Sequence, residues 1–280
     1  MITRGEETVY RSTASNLLTY TLLSIGAVVM VFPFIWMFST SLKSPMDVYT
    51  LNLIPEHPTL ENYKTIMEES AFLRWFLNSI VIAVLTTVSV TFFDTLVGYI
   101  IAKFRFVGRS IIFIAILSTL MVPTEMLIIP WYMMSTELGW TDTYWGILFP
   151  GLMTGFGVFL MKQFMETIPD DLLNAARIDG MNEYMIFFKI AVPQVWSALS
   201  ALAIFTFLSN WNAFLWPLIV IESPELRTLP VGLSFFASSE VKSQWHLIMT
   251  GATVTVVPLL VVFFILQRHI IKGITLTGMK

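Results

Sequence analysis

The chain has 280 residues, 56% of them apolar and 12% charged, with a mean hydropathy of +0.74. Soluble domains carry about a quarter charged residues, so this composition excludes an ordinary water-soluble domain, and a net charge of −3 excludes a protein that grips nucleic acid with a basic surface. The absence of cysteine removes disulfide scaffolds, thiolate metal sites and thiol nucleophiles.

A helix that crosses a bilayer needs about 20 mostly apolar residues, and the intervals between charges supply six such stretches. Residues 1–16 read as a cytoplasmic N-terminal segment carrying Arg4 and Arg11. The first span follows over 17–38, Leu17 to Phe38. Its apolar run is too long for a signal-peptide core and no Ala-x-Ala-like site closes it, so it reads as a retained helix. A membrane core of five helices occupies 72–268, with hydrophobic parts at Trp75–Ala102, Ile111–Tyr132, Tyr144–Met161, Val195–Ile221 and Trp245–Gln267. Residues 269–280 form a tail. The expected fold class is therefore an all-α integral membrane protein of six transmembrane helices.

Orientation follows from Lys and Arg. With the N-terminus inside, eleven of the sixteen basic residues fall in inner segments, most sharply in the turn Lys103-Phe104-Arg105-Phe106-Val107-Gly108-Arg109. Both termini of this multi-pass chain are then cytoplasmic. Prolines at 33, 123, 130, 150, 217 and 258 lie in or near span ends, where each removes a backbone donor and tends to bend its helix. Membrane helices also tolerate proline without functional consequence.

Enzyme chemistry has little to stand on. There is no Gly-x-x-x-x-Gly-Lys-Ser/Thr phosphate loop, no His-Glu-x-x-His and no Gly-x-Ser-x-Gly elbow, and His57, His246 and His269 are dispersed. No catalytic residue and no metal ligand is expected. Asp94 and Glu125 are the clear acids within spans, and such residues are functional candidates by default. They raise the alternative of a proton-coupled secondary carrier. Counted along straight helices, Asp94 lies about 13 Å above Lys103 and Glu125 about 24 Å above Arg109, depths that do not form one proton site.

The loop between the fourth and fifth spans, 166–194, has helical signals of its own. Pro169-Asp170-Asp171 suits a helix N-terminus, about two turns run to Asp179, and Gly180 suits a left-handed C-terminus. A second amphipathic stretch from Asn182 offers Tyr184, Phe187, Phe188 and Ile190 to the membrane side, and Pro193 closes it. Two turns are too short to stand alone in water. Leu172, Ala175 and Ala176 give the helix a small face for a groove on another protein, or for packing on its own bundle.

Asn174-Ala175-Ala176-x-x-Asp179-Gly180, with Ile190 and Pro193 downstream, resembles the "EAA" loop of the membrane subunits of binding-protein-dependent ABC importers, usually Glu-Ala-Ala-x-x-x-Gly. Further pieces are similar to the shorter, six-span permease of maltose-type carbohydrate importers: Lys103 to Arg109, Ile168-Pro169-x-Asp171-Leu172, Trp211-Asn212-x-Phe214-Leu215-Trp216-Pro217, Thr228 to Leu233, and Gln267-Arg268-x-Ile270-x-Lys272-Gly273. The resemblance implies a type I ABC importer transmembrane domain with cytoplasmic coupling helices, in a bacterial or archaeal cytoplasmic (inner) membrane. Its implied partners are a second homologous permease, two ATPase subunits that keep ATP and Mg off this chain, an extracytoplasmic sugar-binding protein, membrane lipid and a carbohydrate. Leu172, Asn174, Ala175, Ala176, Asp179, Gly180 and Pro193 are then the ATPase-coupling residues. Asn174 departs from the motif's glutamate and keeps only a neutral amide. Trp211, Asn212 and Phe214 offer stacking and hydrogen bonds to a sugar in the substrate pathway, while Trp216 also suits an interfacial aromatic belt.

Overall fold

Whether a span stays one helix depends on where its proline and its small hydroxyl and amide residues fall. The computed structural model describes residues 13–68, 71–238 and 244–277, with side chains over 16–68, 71–235 and 244–265. Arg4, Arg11, Lys242 and Lys280, and the side chains of Arg268, His269 and Lys272, lie outside the described residues.

The chain opens on α1 (Thr13–Ser41), which runs through Pro33 and has α14 as its main neighbour. The short α2 (Glu61–Glu68) leads into α3 (Phe72–Lys103), a single 32-residue helix. Next come α4 (Arg109–Thr119), a 3-10 turn at Thr124–Leu127 and α5 (Ile128–Glu137). Then follow α6 (Tyr144–Leu148), α7 (Gly155–Glu166), α8 (Asp170–Ile178) and α9 (Glu183–Ile186). A π turn at Phe187–Ala191 joins α9 to α10 (Val192–Gln194), ahead of α11 (Trp196–Trp211) and α12 (Leu215–Val220). The chain ends with α13 (Leu229–Ser238) and α14 (Trp245–Thr277), the latter continuous through Pro258.

Three described helices, α1, α3 and α14, are long and apolar enough to cross a membrane, and three bent pairs bring the total to six. The pairs turn by 94° between α4 and the Thr124–Glu137 segment, 44° between the α6 segment and α7, and 82° between Glu183–Gln194 and α11.

Three expected spans are therefore not single helices, and the Tyr144–Met161 stretch is the mildest case, bending by 44° where α6 passes through a 3-10 turn at Phe149–Gly151 before α7. The Ile111–Tyr132 stretch breaks at Leu120–Pro123, where Ser118 and Thr119 hydroxyls bond back to Ile114 and Ile116 carbonyls and Pro123 supplies no N–H. The Val195–Ile221 stretch breaks at Asn212–Phe214, because the Asn210 and Asn212 amides bond back to the carbonyls of Thr206 and Leu208. At 16 residues, α11 spans only about 24 Å, less than a bilayer core of roughly 30 Å.

The long α3 is the mast of the bundle, with α7 and α11 packed along it. At Gly98 an added Cβ would lie 2.8 Å from the Lys162 backbone nitrogen and 2.9 Å from Met161 Cβ, so α3 and α7 cross with their backbones nearly touching. One core, at the end that carries Lys103, Arg105, Arg109 and Arg177, joins Val90, Tyr99, Met161, Met165, Leu173, Ile186 and Leu202. We call this the basic end. Near the opposite end, Ile66, Phe72, Trp75, Phe207, Trp211 and Leu229 form a second core.

Loops at that opposite end are tied by side chains. Trp75 Nε1 donates to the Pro224 carbonyl at 2.7 Å, and the Asn78 amide donates to the carbonyls of Glu225 and Arg227 at 2.8 and 2.9 Å. Asp142 accepts from the backbone N–H groups of Glu222 and Ser223 at 3.1 and 2.9 Å and from the Ser223 hydroxyl. These bonds hold its carboxyl below the usual range.

Candidate functional site

The loop between α7 and α11 folds by local rules and then docks by long-range ones. Asp170 and Asp171 occupy the first turn of α8 and Arg177 its last, each matching the helix dipole. At the far end Gly180 takes φ +82°, Met181 N–H donates to the Ala176 carbonyl at 3.0 Å, and Gly180 N–H donates to the Arg177 carbonyl at 3.1 Å. That pair of bonds is a Schellman motif, which closes the helix and turns the chain back. Asn182 then caps α9 by accepting from Met185 N–H at 2.8 Å.

Docking is onto the basic end of α3. Lys103, whose side chain is nearly buried, donates to the Ile168 carbonyl at 2.5 Å and to Asp170 Oδ1 at 2.7 Å. The ammonium holds the Asp170 carboxyl below the usual carboxylate range. Arg177 spans the loop, donating to Asn174 Oδ1 at 2.7 Å and to both oxygens of Glu183 at 2.6 and 3.2 Å. The Tyr99 hydroxyl donates to Glu183 at 3.3 Å. The guanidinium lowers the Glu183 carboxyl's pKa, and the carboxylate raises that of Arg177.

Below these polar ties, Leu173 and Ala176 are buried in the same core as Ile186 and Phe187. This revises the expected docking face, since Ala176 points into its own bundle. Leu172, Asn174, Ala175 and Asp179 are exposed, as is Gly180, and Ile178, which the sequence reading did not single out, is 86% exposed. The apolar side chains of α8 left outward are thus Leu172, Ala175 and Ile178, flanked by Asp171 and Asp179. Pro193 is also exposed, two residues before the 82° bend at Val195. In the second stretch Tyr184 and Phe188 face out, whereas Phe187 is buried and Ile190 half-buried.

The aromatic cluster separates at the α11 break. Trp211 is 1% exposed, donates to the Thr255 carbonyl at 3.2 Å and packs edge-on against Phe76, so it is closed to a ligand in this conformation. Asn212 and Phe214 are exposed. Trp216 packs edge-on against Trp131 and donates to the Gly146 carbonyl at 3.0 Å.

The two acids within spans differ. Asp94 is fully buried and accepts from the Thr154 hydroxyl at 2.6 Å and the Thr154 N–H at 3.1 and 3.2 Å, at the start of α7. Glu125 is exposed on the 3-10 turn beyond the α4 break, so its depth cannot be counted along a straight helix. The pair forms no common site. Among the described residues no cluster of His, Asp and Glu could hold a metal ion.

Comparison with known proteins matches this arrangement. The family described as the binding-protein-dependent transport system inner membrane component matches residues 94–276. The arabinooligosaccharides transport system permease protein AraQ of Bacillus subtilis (strain 168) is 34% identical over 255 residues, covering 89% of this chain and 90% of its own length. The sn-glycerol-3-phosphate transport system permease protein UgpE of Escherichia coli is 32% identical over 268 residues, covering 92% and 95%. In three dimensions the chain matches one from a bacterial ABC transporter involved in the import of the acidic polysaccharide alginate. The TM-score is 0.84 at 24% identity, over 93% of this chain and 99% of that one, and this likeness shows the importer transmembrane fold. The resemblance read from the loop residues therefore holds at the level of fold and family, and the chain belongs to the inner membrane components of binding-protein-dependent transport systems.

Proposed function

We propose that the chain is a permease subunit of an ATP-driven carbohydrate importer, with its basic end and both termini in the cytoplasm. One observation carries the reading: a short helix, pinned by Lys103 and Arg177 to the core of the bundle, turns Leu172, Ala175 and Ile178 outward. Exposed apolar side chains on a charged loop fit a groove in another protein. That protein is an ATPase subunit, and a second, homologous permease presents its own loop to a second ATPase. ATP and Mg are held by those partners.

An extracytoplasmic binding protein delivers the substrate, and ATP binding draws the two ATPase subunits together. Both docked helices move with them, and the bundle shifts from inward-open to outward-open. Asn212 and Phe214, exposed at the α11 break, line the pathway. Relatives named for arabinooligosaccharides and sn-glycerol-3-phosphate support a polyhydroxylated substrate, and we assign a carbohydrate.

The test is purification of the chain in mild detergent with whatever it holds, followed by sugar uptake in vesicles. Co-purification of an ATPase that is lost on Ala175→Arg, with the permease still folded, is the expected result. Uptake by Ala175→Arg at the normal rate sinks the assignment.

A further inference from the structure

A cavity of about 430 Å³ lies beside the coupling loop, where α3 meets the π turn, with Phe92, Leu96, Tyr99, Phe187 and Phe188 in its wall and Arg105 at its edge. Its lining is almost wholly apolar. A second, more polar hollow of about 490 Å³ shares Arg105 and Phe106 with it and continues to Arg109, Ser110 and the start of α4. The two hollows meet along the basic turn, one aromatic and one cationic.

Charge at this junction is positive. Glu183 lines the first cavity, but its carboxylate is taken by Arg177 at 2.6 Å and by the Tyr99 hydroxyl at 3.3 Å. Arg105 makes no ion pair among the described residues, and Arg109 donates to the Phe104 carbonyl at 3.4 Å and pairs with Glu166 at 3.7 Å, a carboxylate that Lys162 holds more closely at 2.9 Å. Phe92 lies eleven residues before Lys103 on α3, so the apolar cavity reaches about 16 Å along the helix from the basic end. A water-soluble partner cannot follow it to that depth, and a purely apolar helix would leave Arg105 unmatched and Arg109 with only a shared carboxylate. A molecule with an anionic head and hydrocarbon tails satisfies both parts.

We infer that an anionic diacyl phospholipid binds here, its head group between Arg105 and Arg109 and an acyl chain in the Phe92–Phe188 cavity. The inference rests on the reading that the basic end meets a membrane surface. Such a lipid would brace the Tyr99–Glu183–Arg177 chain that holds α8, making the stability of the coupling loop sensitive to lipid composition.

The test uses the full chain in non-ionic detergent, titrated with short-chain phosphatidylglycerol or phosphatidylcholine, with bound lipid counted by native mass spectrometry. One phosphatidylglycerol should bind at least fivefold more tightly than phosphatidylcholine, and Arg105→Gln and Arg109→Gln should each weaken it roughly fivefold, the effect of one basic residue near anionic lipid. Leu96→Trp, which fills the cavity, should weaken both lipids. Should that variant not fold, Phe92→Trp, at a position 41% exposed, replaces it. Arg74→Gln, at the opposite end, should change nothing. Equal retention of the two lipids, indifference to Arg105→Gln, or full displacement by inorganic phosphate at matched concentration would overturn the inference. A chain that keeps its lipid but recruits no ATPase would sink the coupling reading and leave this one standing.

Discussion

Asp94 of α3 and Thr154 of α7 form one hydrogen-bonded unit: the carboxylate accepts from the Thr154 hydroxyl at 2.6 Å and from its backbone N–H, while that hydroxyl accepts from Gly157 N–H at 3.0 Å. The acid therefore sits at the positive end of α7 and completes its N-terminal cap. Asp94→Ala leaves the Thr154 donors without a partner in a dry interior, at a cost of about 2–3 kcal/mol. Asp94→Asn keeps one acceptor oxygen and should cost less. Thermal unfolding in detergent checks the order, and equal melting of the two variants would contradict the capping role.

Close approach around this unit makes a second prediction. A Cβ at Gly157 would fall 2.0 Å from Asp94 Oδ2, and one at Gly98 2.8 Å from the Lys162 nitrogen. Gly157→Ala and Gly98→Ala should each force α3 and α7 apart. Gly26→Ala, where a Cβ meets nothing within 4 Å, should be neutral. Membrane yield and detergent melting read the difference.

The two faces of α8 should respond differently to mutation. Leu173→Ala hollows the shared core and should cost about 2–4 kcal/mol, lowering the melting temperature. Ile178→Glu alters a side chain 86% exposed and should leave melting unchanged while abolishing sugar-dependent ATP turnover by the complex. Retained turnover would remove Ile178 from the docking face.

Acidification should release the loop only at low pH. Lys103 lowers the carboxyl pKa of Asp170, and Arg177 lowers that of Glu183. A lowered pKa in the folded state means that the stabilisation is complete above the ordinary carboxylate range and lost as pH falls through the lowered values. Exchange protection of the α8 amides should stay flat from neutral pH down to that range and fall below it. Lys103→Met should remove the Asp170 part of this fall.

Asn174→Glu restores the acid usual in this motif. Arg177 already donates to Asn174 Oδ1 at 2.7 Å and to Glu183, so the new carboxylate meets a guanidinium in place. An exposed pair of this kind adds about 0–1 kcal/mol. Uptake should remain near normal, and a large loss would mean that the neutral amide itself makes a required contact.

The ends of α8 were legible in the sequence because neighbours in the chain decide them: Pro169 and Asp170 start it and Gly180 stops it. Its inward face was not, because Leu173 and Ala176 are selected by Tyr99 and Met165 on other helices. Prolines were ambiguous for a similar reason. Pro33 and Pro258 lie in helices that continue, while the breaks at Leu120–Pro123 and Asn212–Phe214 coincide with hydroxyl or amide groups that bond back to the backbone. The spacing of charges showed Asp94 inside a span, but its partner lies 60 residues away. Trp211 and Asn212 are adjacent in sequence, yet the helix ends between them and leaves one sealed and the other open.

The 82° turn before α11 has a mechanical consequence. Leu173, Ile186, Ala198 and Leu202 share one close-packed core, which resists compression. The limb from Glu183 to Gln194 and the limb of α11 therefore behave as the two arms of a bell crank with its pivot near Val195. On the coupling proposed above, a sideways pull on α8 would become a tilt of α11 at nearly a right angle to the pull, carrying a small stroke from one end of the protein toward the Asn212 break at the other.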